Sequence, residues 1–316
     1  MRVGLPRALL FHHYGESWAS FLDVLGIETV VSEATTGETV VRGAVHADNE
    51  TCLPVKVFTG HLLRLREEVD AILVPRVISQ YRGTKACPKY LGLPDMARSI
   101  SADLPPVLAP LMDLADGRHR WAGDWYGMAR DLGATGRKAS MAVRRMLEGL
   151  RALEPKPAAH GAGAFTVGVA GHLYNVYDER VSLGLLDRIR KMGAEPVTVE
   201  QVPRRQVRRQ LKTLDRKIRW DFESRIVGAV LHWSRAASVG GIVYVNSFAC
   251  GPGSMIGALI EDELAREKSI PLMSITLDEH SAEAGLLTRI EAFMDMLKRK
   301  STASTDLAAA SSGGGP

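Results

Sequence analysis

Short apolar runs and helix-patterned stretches alternate along this chain, and they do so in two series. The first holds "RVGL" (2–5), a helical pattern at 16–25, "IETVV" (27–31), "GETVVRGAV" (37–45), "CLPVKVFTGHLLRLREEV" (52–69), "AILVP" (71–75) and "PPVLAPL" (105–111). The second holds "FTVGVAG" (165–171), "ERVSLGLLDRIRKMG" (179–193), "AEPVTVE" (194–200), a basic helical region over 203–237, "GGIVYVNSF" (240–248), a helix from 254, "IPLMSITLD" (270–278) and a last helix over 283–298. Strands that alternate with helices cannot pair as hairpins. They form a parallel sheet whose connections cross over through the helices. The fold class this predicts is α/β, with two tandem Rossmann-like domains, parallel sheets and added helices. Such sheets bind ligands at the C-terminal ends of their strands, which predicts a site between the domains.

The first domain is predicted over 1–155, including an arginine-rich helical segment over 117–153, and the second over 165–300. Between them, "EPKPAAHGAGA" (154–164) reads as a linker from its Pro, Gly and Ala content. The low-complexity stretch 301–316 reads as a disordered tail.

At 316 residues, 46% hydrophobic and 24% charged, the composition is that of a soluble globular protein. No apolar run reaches the length of a membrane span, and "MRVGLPRALLFHHYGES" turns polar too soon for a secretory signal, so a cytoplasmic location is expected. Net charge is +4, with much of the excess in "PRRQVRRQLKTLDRKIR" (203–219). Val207, Leu211, Leu214 and Ile218 there fall at spacings of four, three and four, one apolar face of an amphipathic helix. The basic face is a solvated surface, or a docking face for an acidic partner. No motif or aromatic interleaving supports nucleic-acid binding.

The chain has three cysteines, too far apart for CxxC pairs, and a disulfide framework does not suit a reducing cytosol. Their contexts are alike: "NETCLPVK" around Cys52, "TKACPKYLGLPD" around Cys87 and "SFACGPGS" around Cys250. Each has a proline one or two residues on, in a loop or at a helix start. Thiolate is the form that binds metal, a helix N-terminus favours an anion, and proline removes a donor that the first turn would waste. Ordinary buried thiols, a zinc site completed by a histidine, and a three-thiolate iron–sulfur site all remain open on these grounds.

The same stretches resemble the activase-related family of the 2-hydroxyacyl-CoA dehydratase system, which is akin to the double-cubane-cluster proteins and to benzoyl-CoA reductase subunits. "GLPRALLFHHYGESWASFLDVLG", "ETCLPVKVFTGH", "VPRVIS", "CPKYLGLPD", "VAGHLYNVYDE", "SFACGPGSM" and "LDEHSAEAGLLTRIEAF" follow in the family's order, from about residue 1 to 298. The resemblance implies a cluster of 4Fe–4S or double-cubane type held by Cys52, Cys87 and Cys250. It implies low-potential electron transfer to an acyl-CoA or other small substrate. Electrons would come from an ATP-dependent activase with its own cluster, and a homodimer is implied as well. A non-catalytic assembly or regulatory partner of such a system is the alternative. The chain has no GxxxxGKS/T phosphate loop, is shorter than the catalytic dehydratase subunits, and carries Gly253 where many relatives carry an acidic residue.

His172 and Glu279 are the candidate catalytic residues, because each lies just after a predicted strand. Tyr174 and Asn175 share the first loop. Asp278, His280, Ser281 and Glu283 share the second, where Asp278 or Ser281 suits a helix cap. Glu50, Lys85 and Lys89 flank cysteines and would modulate a charged group there. Arg7, after the first strand, would bind an anion or pair with a carboxylate.

Overall fold

A computed structural model describes residues 1–116, 119–153, 165–267, 270–281 and 283–312, with the backbone alone for 301–312. The strands are β1 (Arg2–Leu5), β2 (Glu28–Val31), β3 (Ala71–Leu73), β4 (Arg76–Ser79), β5 (Val107–Leu108), β6 (Leu111–Asp113), β7 (Thr166–Gly171), β8 (Glu195–Thr198), β9 (Gly241–Ser247) and β10 (Leu272–Leu277). One sheet has the order β2-β1-β3-β5, a second β8-β7-β9-β10, and β4 pairs with β6 in a two-stranded ribbon. Every strand pair is parallel. The two main sheets repeat one topology, with the first strand of each series flanked by the second and third. This is the tandem Rossmann-like arrangement predicted from the alternation.

Position in the sheet explains the strand compositions. The central strands β7 and β9 are buried along their whole length, as the near-continuous apolar runs require. The edge strands β2 and β10 are only half-buried. The first sheet lies within 2–108 and the second within 166–277. The predicted linker, 154–164, lies outside the described residues.

Several elements differ from the sequence reading. "AILVP" ends as a strand at Leu73, and "PPVLAPL" serves two strands, β5 and β6. Pro75 and Pro110 carry both chains from the first sheet into the ribbon. They do so in step: Val74 N–H donates to Leu108 C=O (2.8 Å) and Arg76 N–H to Pro110 C=O (3.0 Å). The first helix begins at Phe11 rather than near residue 16. The basic region is two helices, Arg204–Leu211 and Asp221–Arg235, so Leu214 and Ile218 fall in the break between them. Thr213 helps end the first helix, because its hydroxyl takes the Gln210 carbonyl (2.8 Å) that the next turn would have used. The last helix runs from Glu283 to Ser312, so the helical backbone continues into the stretch read as a disordered tail, of which 313–316 lie outside the described residues. Among the described residues no helix is long and apolar enough to cross a membrane.

Several polar contacts join the two halves. Asp221 accepts from the Gln80 N–H (2.8 Å), the Tyr81 N–H (3.3 Å) and the Thr84 hydroxyl. Lys85 N–H donates to Arg219 C=O (2.8 Å). Thr35 donates to buried Asp178. Buried Lys56 pairs with Glu279 (2.5 Å). Helices Gly37–His46 and Leu53–Leu65 cross so closely that Gly43 and Gly60 lie against each other's backbone.

Candidate functional site

Cys52, Cys87 and Cys250 line one cavity between the two halves, together with Leu9, Pro54, Val55, Lys89, Tyr90, Leu93, His172, Tyr174, Phe222 and Glu223. The helices explain the convergence. Cys52 is the N-cap of Leu53–Leu65 and Cys87 the N-cap of Pro88–Ile100, each with proline in the first turn. Cys250 immediately precedes Gly251–Glu267, which has Pro252 in its first turn. Three helix N-termini therefore face one space, and their first-turn backbone, at Val55, Tyr90 and Gly253, lies close enough to the three sulfurs to favour the thiolate form. Leu9 and Ala249, at the edges of the cavity, hold φ of 53° and 59°. That left-handed conformation is costly for residues with a side chain, and it concentrates at functional sites.

The helix N-termini do not by themselves make these thiols acidic. Burial raises Cys52 and Cys87, and it raises Cys250 to about 12. The backbone N–H groups pull the other way but are outweighed. The neighbouring thiols and the Glu223 carboxylate add to the upward push on Cys87 and Cys250. Only a cationic occupant would reverse this balance, because the charged form then gains a partner inside the low-dielectric space. Among the described residues no group of three or more His, Cys, Asp or Glu side chains is close enough to hold a metal ion. The single-ion zinc alternative thus gains no support from the geometry.

His172 is not an open loop residue. It is 3% exposed, N-caps the short helix Leu173–Tyr177, and its Nε2 lies 3.1 Å from Glu223 Oε1. Its ring stacks on Tyr174 with centroids 5.1 Å apart. Asn175 is turned away and accepts from Ser247 (2.8 Å). Glu279 does not line the cavity; its carboxylate is taken by Lys56, one turn into the helix that Cys52 caps. Asp278 caps its own turn, accepting from the His280 N–H (2.8 Å) and the Ser281 hydroxyl (3.0 Å). Glu283 pairs with Arg188. Lys89 reaches the cavity, whereas Lys85 and Glu50 are exposed. Arg7 lies over the Phe11 ring (5.9 Å) and makes no ion pair with a described residue. Gly253 has no room for a side chain: a Cβ there would stand 2.1 Å from Asn246 Oδ1 and 3.0 Å from Cys250 Sγ.

Sequence reasoning missed Tyr90, Phe222 and Glu223. Glu223 gave no distinctive signal, because an acidic residue in the first turn of a helix is an ordinary helix-start pattern.

Burial works against the Glu279 carboxylate, but the Lys56 hydrogen bond and charge outweigh it, and its pKa is lowered from 4.5. The stabilisation from this pair is therefore full above about pH 4.5 and fades as pH falls through the lower folded value. Glu279→Gln leaves the Lys56 ammonium buried without its counter-charge, an expected loss of about 3 kcal/mol at pH 7 that shrinks in acid. Urea unfolding at pH 7 and pH 4 measures it.

Two parallel sheets of like topology, with cysteines at three converging helix starts, define an α/β protein whose ligand cavity is completed by both halves. Residues 2–202 match the family described as the CoA enzyme activase uncharacterised domain, and residues 195–297 match the 2-hydroxyglutaryl-CoA dehydratase D-component. The chain belongs to the CoA enzyme activase uncharacterised domain family, within the activase- and dehydratase-related proteins. No curated protein matches it.

Proposed function

We propose that this chain holds a 4Fe–4S-type cluster through Cys52, Cys87 and Cys250 and takes part in low-potential electron transfer to a small, CoA-linked substrate, with an ATP-dependent activase as the electron source. The observation that carries this reading is the convergence of three helix-capping cysteines on one largely apolar cavity. The donor set fits such a group. Three soft thiols in a shared space, not gathered tightly enough for one ion, suit an occupant several atoms across. When bound, a cluster supplies a site that accepts and gives up single electrons.

The chain's own residues do the rest. The positive ends of three helices face the sulfurs, which favours added negative charge. Leu9, Val55, Leu93 and Phe222 exclude water, which strengthens every charge interaction inside. Lys56 and Lys89 offset negative charge near Cys52. His172 and Glu223, sharing a buried hydrogen bond at the wall, are placed to hold one proton for a bound substrate.

Purification without oxygen, followed by iron and sulfide analysis and an absorption spectrum, tests the reading. About four irons per chain are expected for a single cubane, and about twice that for a double one. Each of Cys52→Ala, Cys87→Ala and Cys250→Ala is expected to lose the whole complement while staying folded, since a neutral buried thiol acts as a small hydrophobe. Zinc alone, or a metal-free protein that cannot be reconstituted, sinks the proposal.

A further inference from the structure

One polar atom in the cavity has no partner. The Tyr90 side chain is 4% exposed, its hydroxyl is shielded from solvent, and it makes no hydrogen bond with any described residue. Tyr174 is the neighbour close enough for a side-chain hydrogen-bond interaction with it, but the contact falls outside hydrogen-bonding geometry. A buried unpaired hydroxyl is costly, by about 1–3 kcal/mol, and is rare in native proteins. A phenylalanine would fill the same space without that cost.

Tyr90 lines the cysteine cavity. Its electrostatic neighbours are Cys87, Cys52 and Glu223, all of which line the cysteine cavity. The side chain has little freedom to turn away. Tyr90 lies in the first turn of the helix that Cys87 caps, and its own N–H donates to the Cys87 carbonyl (3.0 Å). Its ring packs on Phe222 (6.0 Å between centroids) and Tyr174 (6.4 Å). The turn that sets the Cys87 sulfur thus also sets this donor.

We infer that Tyr90 donates its hydroxyl hydrogen bond to the group held by Cys52, Cys87 and Cys250, at a sulfur of that group or of its thiolates. The inference rests on the proposed cluster site and adds a positioning residue to it. A donor aimed at sulfur stabilises the more negative, reduced state, so Tyr90 raises the reduction potential. It also gives the orphan hydroxyl a partner.

Tyr90→Phe tests this on the full chain. In metal-free protein the thermal midpoint is expected to be unchanged or higher, because the substitution removes only an unpaired group. Iron and sulfide contents of the reconstituted variant are expected to equal those of the wild type. The reduction midpoint is expected to fall, and the shift of the iron–sulfur stretching bands on exchange into deuterated water to shrink. Equal potentials and equal deuterium shifts at equal iron content overturn the inference and leave the cluster reading standing. A lowered thermal midpoint in the metal-free variant also overturns it, since the hydroxyl would then have a partner inside the protein. Failure of the wild type to bind iron removes the cluster reading itself, and this inference with it.

Discussion

Gly43→Ala is expected to lower the melting temperature by roughly 10 °C, and Gly60→Ala by a similar amount. A Cβ at Gly43 would stand 1.8 Å from the Lys56 carbonyl oxygen, and one at Gly60 would stand 2.0 Å from the Thr39 carbonyl oxygen. Both obstacles are backbone, so no rotamer change relieves them. Helices Gly37–His46 and Leu53–Leu65 must separate along their length. Overpacking of a flexible core costs about 1–3 kcal/mol, and a rigid backbone contact puts the cost above that, at about 3–5 kcal/mol. At ~2–4 °C per kcal/mol for a protein of this size the midpoint shift follows. Gly127→Ala is the control. It lies inside the helix Ala122–Asp131 with nothing within 4 Å of its Cβ position, so a gain of about 0.5–1 kcal/mol is expected. Scanning calorimetry on the three variants decides it, and a neutral Gly43→Ala would contradict the close crossing. Because Cys52 caps the second helix of the pair, the proposed cluster site predicts that Gly43→Ala also weakens iron retention.

The second large effect is at Asp221. This carboxylate is 0% exposed and is the acceptor for two backbone N–H groups and a hydroxyl of the loop leading to Cys87. Asp221→Ala strands all three donors, an expected loss of about 3–5 kcal/mol. The pH dependence is more diagnostic. Burial raises Asp221 from 3.8 to about 6, against the pull of the Thr84, Gln80 and Tyr81 donors. The folded protein therefore binds this proton more tightly than the unfolded chain does. Its contribution to stability is full below about pH 4 and is lost as pH rises through 6, a span of about 3 kcal/mol. Asp221→Asn keeps an acceptor oxygen and cannot titrate. Subtracting its urea-unfolding curve from that of the wild type between pH 4 and pH 8 is expected to leave a slope of that sign. A flat difference would mean that the carboxyl titrates alike in both states.

Much of this architecture is written in local pattern. Strands such as "GIVYVNS" and helices such as Leu53–Leu65 were legible because they are near-continuous apolar runs of strand and helix length. The common setting of the three cysteines was legible too, since proline beside cysteine at a helix start is a matter of a few adjacent residues. What escaped was whatever depends on contacts distant in sequence. β4 and β6 look like loops because prolines interrupt them, and only their pairing with each other makes them strands. Glu279 looked like a free acid until Lys56, buried in the other half, took it. Tyr90 carries no sequence signal, because its role lies in the absence of a partner, and only packed coordinates can show that.

The cavity draws Cys52 and Cys87 from the first half of the chain and Cys250 from the second, and the two halves are stitched by Asp221 and Lys56. This sets an order of events during biosynthesis. While the ribosome is still making the second sheet, two of the three thiols are already present and the third is not yet synthesised. A nascent chain can offer any incoming group only an open, two-pronged cleft. Any group held by all three thiols, as proposed above, has to wait until Cys250 has left the ribosome and the halves have docked, so a message truncated before that point cannot complete the site.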